Sequence, residues 1–256
     1  MTGRVTYGKS GATALVLFDR PEARNAITWD MYEQLGAACR AISADREVRV
    51  AVFRGAGGSF AAGTDIAQFL EFTGGESGIA YERQIEASIE LIERIPKPVI
   101  AIVEGNCVGG GLIIAAACDL RIATPNARFG VPIARTLGNC LSPMNVSRLL
   151  QHFGPARTKR MLLLAELIGA KEAESCGFLA RIVESSELET VADELCSRIA
   201  SQAPITMLAA KEMIRRIGTA VAPDCDDLIR MVYGSADFQE GVQAFVTKRQ
   251  PKWRAE

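Results

Sequence analysis

Residues 99–123 read VIAIVEGNCVGGGLIIAAACDLRIA, and this stretch indicates the fold class. Its first five residues, Val99–Val103, are all apolar, and such a short run ending in a turn predicts a buried strand. A glycine-rich turn follows, and an apolar helix begins near Gly110 or Gly111. Leu120–Ala123 predicts a further strand after that helix. Strand, turn and helix in this repeated order with short connections are typical of an α/β protein.

The residues before this unit repeat the same order. Ala12–Phe18 and Val48–Phe53 predict two strands, and Thr28 is a candidate N-cap for a helix between them. The apolar residues that recur near the helical period in that helix are Met31, Leu35, Cys39 and Ile42. A second helix carries isoleucines at positions 85, 89 and 92 and ends before the Pro96-Lys97-Pro98 segment.

The C-terminal part of the chain has a different pattern, because strand signals disappear from about Glu187 onward. We therefore divide the chain into a core at residues 1–195 and a helical region at residues 196–256 with a separate packing role. The predicted helices of this part centre on Val191, Leu195 and Ile199, on Ile205–Ile217 after Pro204, on Asp226–Tyr233, and on Ala236–Lys248.

Composition excludes several classes of protein. The 256 residues carry a formal net charge of -1 with both signs scattered along the chain, which argues against nucleic-acid and membrane-surface partners. The longest apolar stretch, Val108 to Cys118, is shorter than the roughly 20 residues that span a bilayer. The 7 cysteines form neither a CxxC pair nor zinc-finger spacing. We expect reduced thiols in a cytoplasmic protein, no metal site, and a small soluble ligand.

Two turns of small residues carry the candidate chemistry. Residues Phe60–Ile66 follow the strand predicted at Val48–Phe53, and Gly105–Gly111 follow the strand predicted at Val99–Val103. Small residues let a ligand approach the backbone, and the first N–H groups of a helix have no intrahelical partner. Two such donors converging on one carbonyl oxygen would form an oxyanion hole. The alternative is that each turn merely closes a strand–helix connection.

Other nucleotide and nucleophile motifs are broken or missing in the sequence. Gly55–Phe60 begins like the dinucleotide fingerprint GxGxxG, but Phe60 takes the place of the last glycine, which disfavours a nicotinamide-dependent dehydrogenase. Gly8-Lys9-Ser10 lacks the upstream glycine of a P-loop, and no GxSxG elbow occurs. His152, the only histidine, is placed at a predicted helix end, where a partly buried structural role is favoured over catalysis.

Several further segments occur in a characteristic order along nearly the whole chain. They are Pro21–Ile27, Phe60–Ile66, Gly109–Gly111 leading to Cys118-Asp119, Phe129–Pro132, and Glu240-Gly241 through Ala244-Phe245 to Lys248-Arg249. In combination, these segments resemble the motifs of the enoyl-CoA hydratase/isomerase (crotonase) family. The resemblance implies a ClpP-like spiral of β-β-α units in two sheets, followed by a helical trimerisation region. It also implies a homotrimer or a hexamer built from two trimers.

The same resemblance implies roles for individual residues. The substrate would be an acyl-CoA or enoyl-CoA thioester, with coenzyme A entering as part of that substrate and no permanently bound cofactor. The oxyanion donors would be the backbone N–H groups of Thr64 and Gly110, whose side chains would matter little. Coenzyme A would contact Ala23, Arg24, Ala26, Ala62, Asp65 and Ile66, and Phe245 and Lys248 would reach the coenzyme A of a neighbouring subunit. Alternatively, Arg24 and Lys248 are surface charges and Phe245 packs in a core, while Asp65 is expected to be a helix N-cap as well as a coenzyme A contact.

Two positions depart from the family pattern. Hydratases of this family carry one glutamate two residues after the glycine triplet and another directly after the Phe-Gly-x-Pro proline. This sequence has Ile113 and Ile133 at those places. Hydration needs one group that takes a proton from water and one that protonates the α-carbon, and an isoleucine does neither. The resemblance thus implies a member of the family that lacks both usual catalytic glutamates.

Several residues are candidates to replace the two usual glutamates. Arg135 could bind a substrate carboxylate, Asn139 could orient water, and Cys140 could be a nucleophile. Their structural alternatives are an ion pair for Arg135, a turn residue for Asn139 and a small buried side chain for Cys140. Glu86 or Glu82 could supply a relocated carboxylate, although a solvated helix face is the simpler interpretation.

Three functions remain open at this stage. The first is an enzyme of this family that acts as a hydratase or isomerase, or catalyses decarboxylation or thioester hydrolysis. The second is a non-catalytic acyl-CoA-binding homologue. The third is the disfavoured dehydrogenase. Turnover without a cofactor, coenzyme A binding without turnover, and nicotinamide binding would distinguish them.

Overall fold

The protein is known from a computed structural model that describes residues 3–219 and 226–253. Its strands are β1 (Arg4–Ser10), β2 (Thr13–Asp19), β3 (Val50–Gly55), β4 (Val99–Val103), β5 (Asn106–Val108), β6 (Leu120–Ala123), β7 (Arg128–Gly130), β8 (Ile168–Gly169) and β9 (Arg181–Ile182). Its helices are α1 (Trp29–Ala44), α2 (Gly75–Glu93), α3 (Gly110–Ala117), α4 (Ile133–Thr136), α5 (Pro143–Leu163), α6 (Ala170–Ser175), α7 (Leu188–Ala200), α8 (Pro204–Thr219), α9 (Asp226–Tyr233) and α10 (Ala236–Val246). Two short 3-10 helices lie at Pro21–Ala23 and Ile66–Glu71.

The strands form two sheets. The larger sheet has the order β1-β2-β3-β4-β6-β9, in which only the β1–β2 pair is antiparallel. The smaller sheet has the order β5-β7-β8 and combines one parallel with one antiparallel pair. Helices connect the parallel strands, so the predicted mixed α/β class is confirmed.

Both faces of the larger sheet are covered at β3 and β4. Phe53, Ala101 and Val103 point into the main core, together with residues of α1, α2 and α3. The alternate residues Val52 and Ile100 pack into a second cluster that includes α7. Because successive side chains of a strand point to opposite faces, burial on both sides requires the continuous apolar runs seen in the sequence.

Most predicted elements occur where the sequence indicated. β4 and β6 have the predicted bounds, and the Thr28 side chain caps α1 by accepting a hydrogen bond from the Met31 N–H at 3.2 Å. β1 was not predicted, because most of its residues are exposed and carry no clear alternation. β5, β7, β8 and β9 have only two or three residues, too few to show a period.

The predicted division of the chain at residue 195 falls inside α7. Leu188 and Ala192 lie before that point and Cys196 and Ile199 after it, yet all four pack against the larger sheet. The division stays a prediction, and residues 220–225 and 254–256 of the helical region lie outside the described residues. In the described ranges, every helix is too short or too polar to span a bilayer.

A buried arginine joins α5 to α2. The Arg148 side chain is 6% exposed, and its guanidinium donates to the carboxylates of both Glu86 and Glu93 at 2.6 Å. It also donates to the Asn145 side-chain oxygen at 2.8 Å. These hydrogen bonds offset the free-energy cost of burying the positive charge of Arg148, and they hold α2 against α5.

We expect Arg148→Met to lower the free energy of unfolding by about 3 kcal/mol, because it leaves two carboxylates without their counter-ion. Urea unfolding followed by circular dichroism measures this change. Arg160→Met is the matched control: Arg160 also pairs with two glutamates but is 42% exposed, so the loss should be under about 1 kcal/mol. Equal losses in both variants would contradict the structural role of Arg148.

Candidate active site

The two turns of small residues lie side by side. The Ala61 N–H donates to the Asn106 carbonyl at 3.1 Å, and the Val108 N–H donates to the Ala61 carbonyl at 3.1 Å. These bonds form a parallel bridge between Ala61 and Cys107. The backbone at Gly109 has φ 53° and ψ -128°, a conformation that favours glycine. The bridge therefore brings residues 60–66 against the start of α3.

The backbone of Thr64 lies close to the start of α3 at Gly110. A Cβ atom added at Gly110 would lie only 3.6 Å from the Thr64 nitrogen. Gly110 is the first residue of α3, so its N–H has no intrahelical acceptor. Within residues 3–219 and 226–253, no backbone carbonyl accepts from either N–H. Two unpaired N–H groups on neighbouring turns suit an oxygen that becomes negatively charged.

The Thr64 side chain, which was expected to matter little, binds two tyrosines. Its Oγ1 lies 2.9 Å from the Tyr32 hydroxyl and 3.0 Å from the Tyr81 hydroxyl. Burial raises the pKa of Tyr32 to about 12 and the pKa of Tyr81 well above its usual value, so both are protonated at neutral pH. Sequence reasoning missed Tyr32. The one sequence signal for Tyr32 was its position next to Met31, beside the apolar face predicted for α1.

The segments predicted to bind coenzyme A run alongside each other. The Ala62 N–H donates to the Arg24 carbonyl at 3.0 Å, and the Ile27 N–H donates to the Gly63 carbonyl at 2.8 Å. These bonds place Ala23, Arg24 and Ala26 next to Ala62, Asp65 and Ile66. The Arg24 side chain is exposed, as a phosphate contact or a surface charge would require.

Asp65 has the structural role that the sequence suggested. Its side chain caps the 3-10 helix Ile66–Glu71 by accepting from the Ala67 N–H at 3.2 Å. Its carboxylate also accepts from the Arg20 guanidinium at 2.7 Å. The N-cap role is therefore confirmed, and a contact to coenzyme A stays a prediction.

Phe245 lies near the end of α10, and Lys248 follows the helix. Both are remote in sequence from the other residues that are predicted to contact coenzyme A. α10 packs on the 3-10 helix Ile66–Glu71 of its own chain, where the rings of Phe238 and Phe69 are 6.0 Å apart. Phe245 is 50% exposed, so the alternative that it packs in a core is wrong. Lys248 is exposed as well. Their contact with a neighbouring subunit stays a prediction.

The two candidate carboxylates differ in environment. Both oxygens of Glu86 accept from Arg148, which holds this side chain as a structural ion and argues against an acid–base role. Glu82 is buried, and its carboxyl group accepts from the Tyr233 hydroxyl at 2.7 Å and from the Ser142 N–H at 2.8 Å. Burial raises the pKa of Glu82 to about 7 despite these hydrogen bonds.

The loop after α4 supplies the remaining candidates. The Asn139 amide donates to the Tyr233 hydroxyl at 3.2 Å, while its Oδ1 is buried without a hydrogen-bond partner. Burial, followed by the charge of Glu82, raises the pKa of Cys140 to about 12. The thiol is therefore protonated at neutral pH, which favours the small buried side chain over the nucleophile among the two alternatives for Cys140. Arg135 is exposed on α4.

Apolar side chains occupy positions 113 and 133, which the sequence comparison with the family motifs predicted to lack the usual glutamates. Ile113 is fully buried in α3, and Ile133 packs partly buried against the main core at the start of α4. Neither can exchange a proton with a substrate. The described ranges also contain no cluster of three or more histidine, cysteine, aspartate or glutamate side chains that could hold a metal ion.

Comparisons with known proteins match nearly the whole chain. The sequence profile of the enoyl-CoA hydratase/isomerase family matches residues 8–256. The short-chain-enoyl-CoA hydratase of Clostridium acetobutylicum is 35% identical over 256 residues, covering 96% of this chain and 95% of that protein. The (E)-benzylidenesuccinyl-CoA hydratase of Thauera aromatica is 34% identical, with 98% of each chain covered.

Solved structures show the same fold. An enoyl-CoA hydratase/carnithine racemase from Magnetospirillum magneticum has a TM-score of 0.80 at 32% identity, covering 98% of this chain and 96% of that chain. Methylmalonyl-CoA decarboxylase in complex with 2-nitronate-propionyl-CoA has a TM-score of 0.90 at 28% identity, with 98% of each chain covered. The fold expected from the sequence motifs is thus confirmed.

The raised pKa of Glu82 has a measurable effect on stability. As the pH rises from about 4.5 to about 7, the unfolded chain ionises this carboxyl while the folded chain keeps it protonated. The unfolded state then binds fewer protons, so folding stability falls across this window by about 3 kcal/mol in total.

We expect Glu82→Gln to remove this decline, because glutamine does not titrate. Urea unfolding of both proteins at pH 5 and pH 8 measures it. Glu90→Gln on the exposed face of α2 is the control and should keep the wild-type decline. A Glu82→Gln protein that loses as much stability as wild type between the two pH values would show that Glu82 is not the group responsible.

Proposed function

Because the chain belongs to the enoyl-CoA hydratase/isomerase family, we propose that it polarises the carbonyl of an acyl-CoA thioester between the N–H groups of Thr64 and Gly110. The chain is an acyl-CoA-processing enzyme, and the oxyanion site is our assignment. The observation that carries it is the close approach of Thr64 to the start of α3, where neither N–H has a carbonyl acceptor within the described residues.

The chemistry follows from charge. When the α-carbon of a thioester gains electrons, negative charge moves onto the carbonyl oxygen and an enolate forms. Two fixed N–H donors stabilise that oxygen more than they stabilise the neutral carbonyl, which lowers the barrier. The helix dipole of α3 adds partial positive charge at the same end. No metal ion has a role in this proposal.

The nucleotide end of coenzyme A would lie along the paired segments that contain Ala23, Arg24 and Ala26 on one side and Ala62, Asp65 and Ile66 on the other. Arg24 is exposed there and could reach a phosphate. Phe245 and Lys248 would contact the coenzyme A of a neighbouring subunit in a homotrimer or a hexamer. We further propose a cytoplasmic location, with coenzyme A present only as part of the substrate.

The reaction depends on what replaces the usual acid–base pair. We propose that Ile113 and Ile133 stand where hydratases of the family carry two glutamates. Hydration then needs other acid–base groups. Glu82 of α2 and Asn139 of the loop after α4 are candidates, because both side chains form a hydrogen bond with the Tyr233 hydroxyl. A hydratase or isomerase reaction with relocated groups is the first candidate.

Decarboxylation is the second candidate. Loss of carbon dioxide from a carboxylated acyl-CoA leaves an enolate without any base, so an apolar pair at positions 113 and 133 is compatible with it. The similarity to methylmalonyl-CoA decarboxylase, with a TM-score of 0.90, favours this possibility specifically. A homologue that binds acyl-CoA without turnover is the outcome that would exclude both.

Two substrates test the proposal. Hydration of crotonyl-CoA is followed as loss of the conjugated thioester absorbance, and decarboxylation of methylmalonyl-CoA as formation of propionyl-CoA by mass spectrometry. We expect turnover of one of them without any added cofactor. If the pure protein binds coenzyme A tightly but turns over neither, the enzymatic proposal is wrong for these substrate classes and the binding function remains.

A glycine substitution tests the oxyanion site. A Cβ atom at Gly110 would lie 2.6 Å from the Tyr32 hydroxyl and 3.2 Å from Thr64 Oγ1, so Gly110→Ala should displace Thr64 from the start of α3. We expect a loss of kcat/KM of about 10²-fold. Gly8→Ala is the control, since a Cβ there meets no atom within 4 Å. Undiminished turnover by folded Gly110→Ala would exclude the N–H groups of Thr64 and Gly110 as the oxyanion site.

A further inference from the structure

The hydroxyl groups of Tyr32, Thr64 and Tyr81 form a hydrogen-bonded chain that has three hydroxyl protons but only two hydrogen bonds. Each hydroxyl carries one proton to donate, but the chain contains only two oxygen–oxygen contacts, at 2.9 Å and 3.0 Å. Each contact uses one proton. Neither tyrosine hydroxyl has another hydrogen-bond partner in the part of the protein that the structure describes. One hydroxyl proton is therefore left without a partner among the described residues.

Burial excludes Tyr32 as the residue that keeps the spare proton. Tyr32 is only 2% exposed and lies in the main core, where an unpaired donor would cost about 1–3 kcal/mol. Tyr32 must therefore donate to Thr64. The contact between Thr64 and Tyr81 can then run in either direction, because the Thr64 oxygen has two acceptor sites; in the arrangement that the proposal uses, Thr64 donates its proton to the Tyr81 oxygen. The remaining proton is on Tyr81, which is partly exposed.

Tyr81 is also held close to the proposed oxyanion donors. Its oxygen lies 3.0 Å from the side chain of Thr64, the residue whose N–H we assign to the thioester oxygen. Its ring is packed between the rings of Trp29 and Phe69, with centroids 5.3 Å and 4.9 Å away. The aromatic packing restricts the ring, so the hydroxyl is presented from a fixed position.

We propose that Tyr81 is the proton donor to the enolate, delivering its spare hydroxyl proton to the α-carbon of the bound thioester. The inference rests on the proposed function. The electron pair of the enolate forms the new C–H bond, the Tyr81 O–H bond breaks, and its electrons stay on the phenolate oxygen. In hydration the water that adds to the β-carbon returns a proton to the phenolate; in decarboxylation solvent water does so.

The direction of this transfer agrees with the chemistry of the groups. Burial raises the pKa of Tyr81 well above its usual value, so the phenol is protonated throughout the neutral range. An enolate carbon is a much stronger base than a phenolate, so the transfer runs toward carbon. The Thr64 hydroxyl, which donates to the Tyr81 oxygen, stabilises the phenolate while it exists. This supplies the acid that an isoleucine at position 113 or 133 cannot.

The test is Tyr81→Phe, which removes one hydroxyl and keeps the ring that packs against Trp29 and Phe69. We expect kcat to fall at least about 10²-fold on whichever of crotonyl-CoA and methylmalonyl-CoA the wild-type enzyme turns over, with KM changed less than about threefold. Tyr32→Phe should cost less than Tyr81→Phe, because the spare proton remains on Tyr81. Tyr7→Phe, at the exposed β1 strand, is the control and should match wild type.

Deuterium labelling distinguishes a proton donor from a structural residue. In D2O the wild-type product should carry deuterium on one face of the α-carbon, as read by NMR. The residual Tyr81→Phe product should be a mixture of both faces, because water then protonates the enolate. Wild-type kcat with one labelled face in Tyr81→Phe, or a larger loss in Tyr32→Phe, would overturn the proposal. Failure of the proposed function itself looks different: wild type would turn over neither substrate, and this proposal would fall with it.

Discussion

The backbone bridge between Ala61 and the Asn106–Val108 strand is the constraint on which the candidate site depends. It ties two turns that are more than forty positions apart in the sequence. Only then does the backbone of Thr64 lie close to the start of α3. Without the bridge each turn would be an ordinary strand–helix connection. A backbone site of this kind tolerates changes of side chain, provided that the turns keep their small residues.

Buried polar groups around this site link distant parts of the chain. Glu82 of α2 accepts hydrogen bonds from Tyr233 of α9 and from the backbone of Ser142, so the C-terminal helices are anchored to the site by a carboxyl group. Arg148 fixes the other half of α2 through Glu86 and Glu93. Helix α2 is thus held at Glu82, the residue next to Tyr81, and at Glu86 and Glu93 toward its C-terminal end, and the Tyr81 hydroxyl lies 3.0 Å from the Thr64 side chain.

The fold was largely predictable, and the site only in part. β4, β6 and the capped helix α1 were found from hydrophobic period and capping residues, since these signals are local. The two glycine turns were recognised as candidates for the same reason. The sequence left the roles of Cys140 and Glu86 open, because the burial of Cys140 and the ion pair between Glu86 and Arg148 depend on residues that are remote in sequence.

The sequence by itself determined the α/β class, the order of the elements, the two turns and the resemblance to the enoyl-CoA hydratase/isomerase family. These follow from short-range patterns of apolar, capping and small residues, which a chain carries in its linear order. Only the tertiary structure decided that Tyr32, Thr64 and Tyr81 share two hydrogen bonds and that one hydroxyl proton remains. The physical reason is that hydrogen bonding and desolvation act over a few ångströms in space, and α1, the first turn and α2 meet at that distance only after folding.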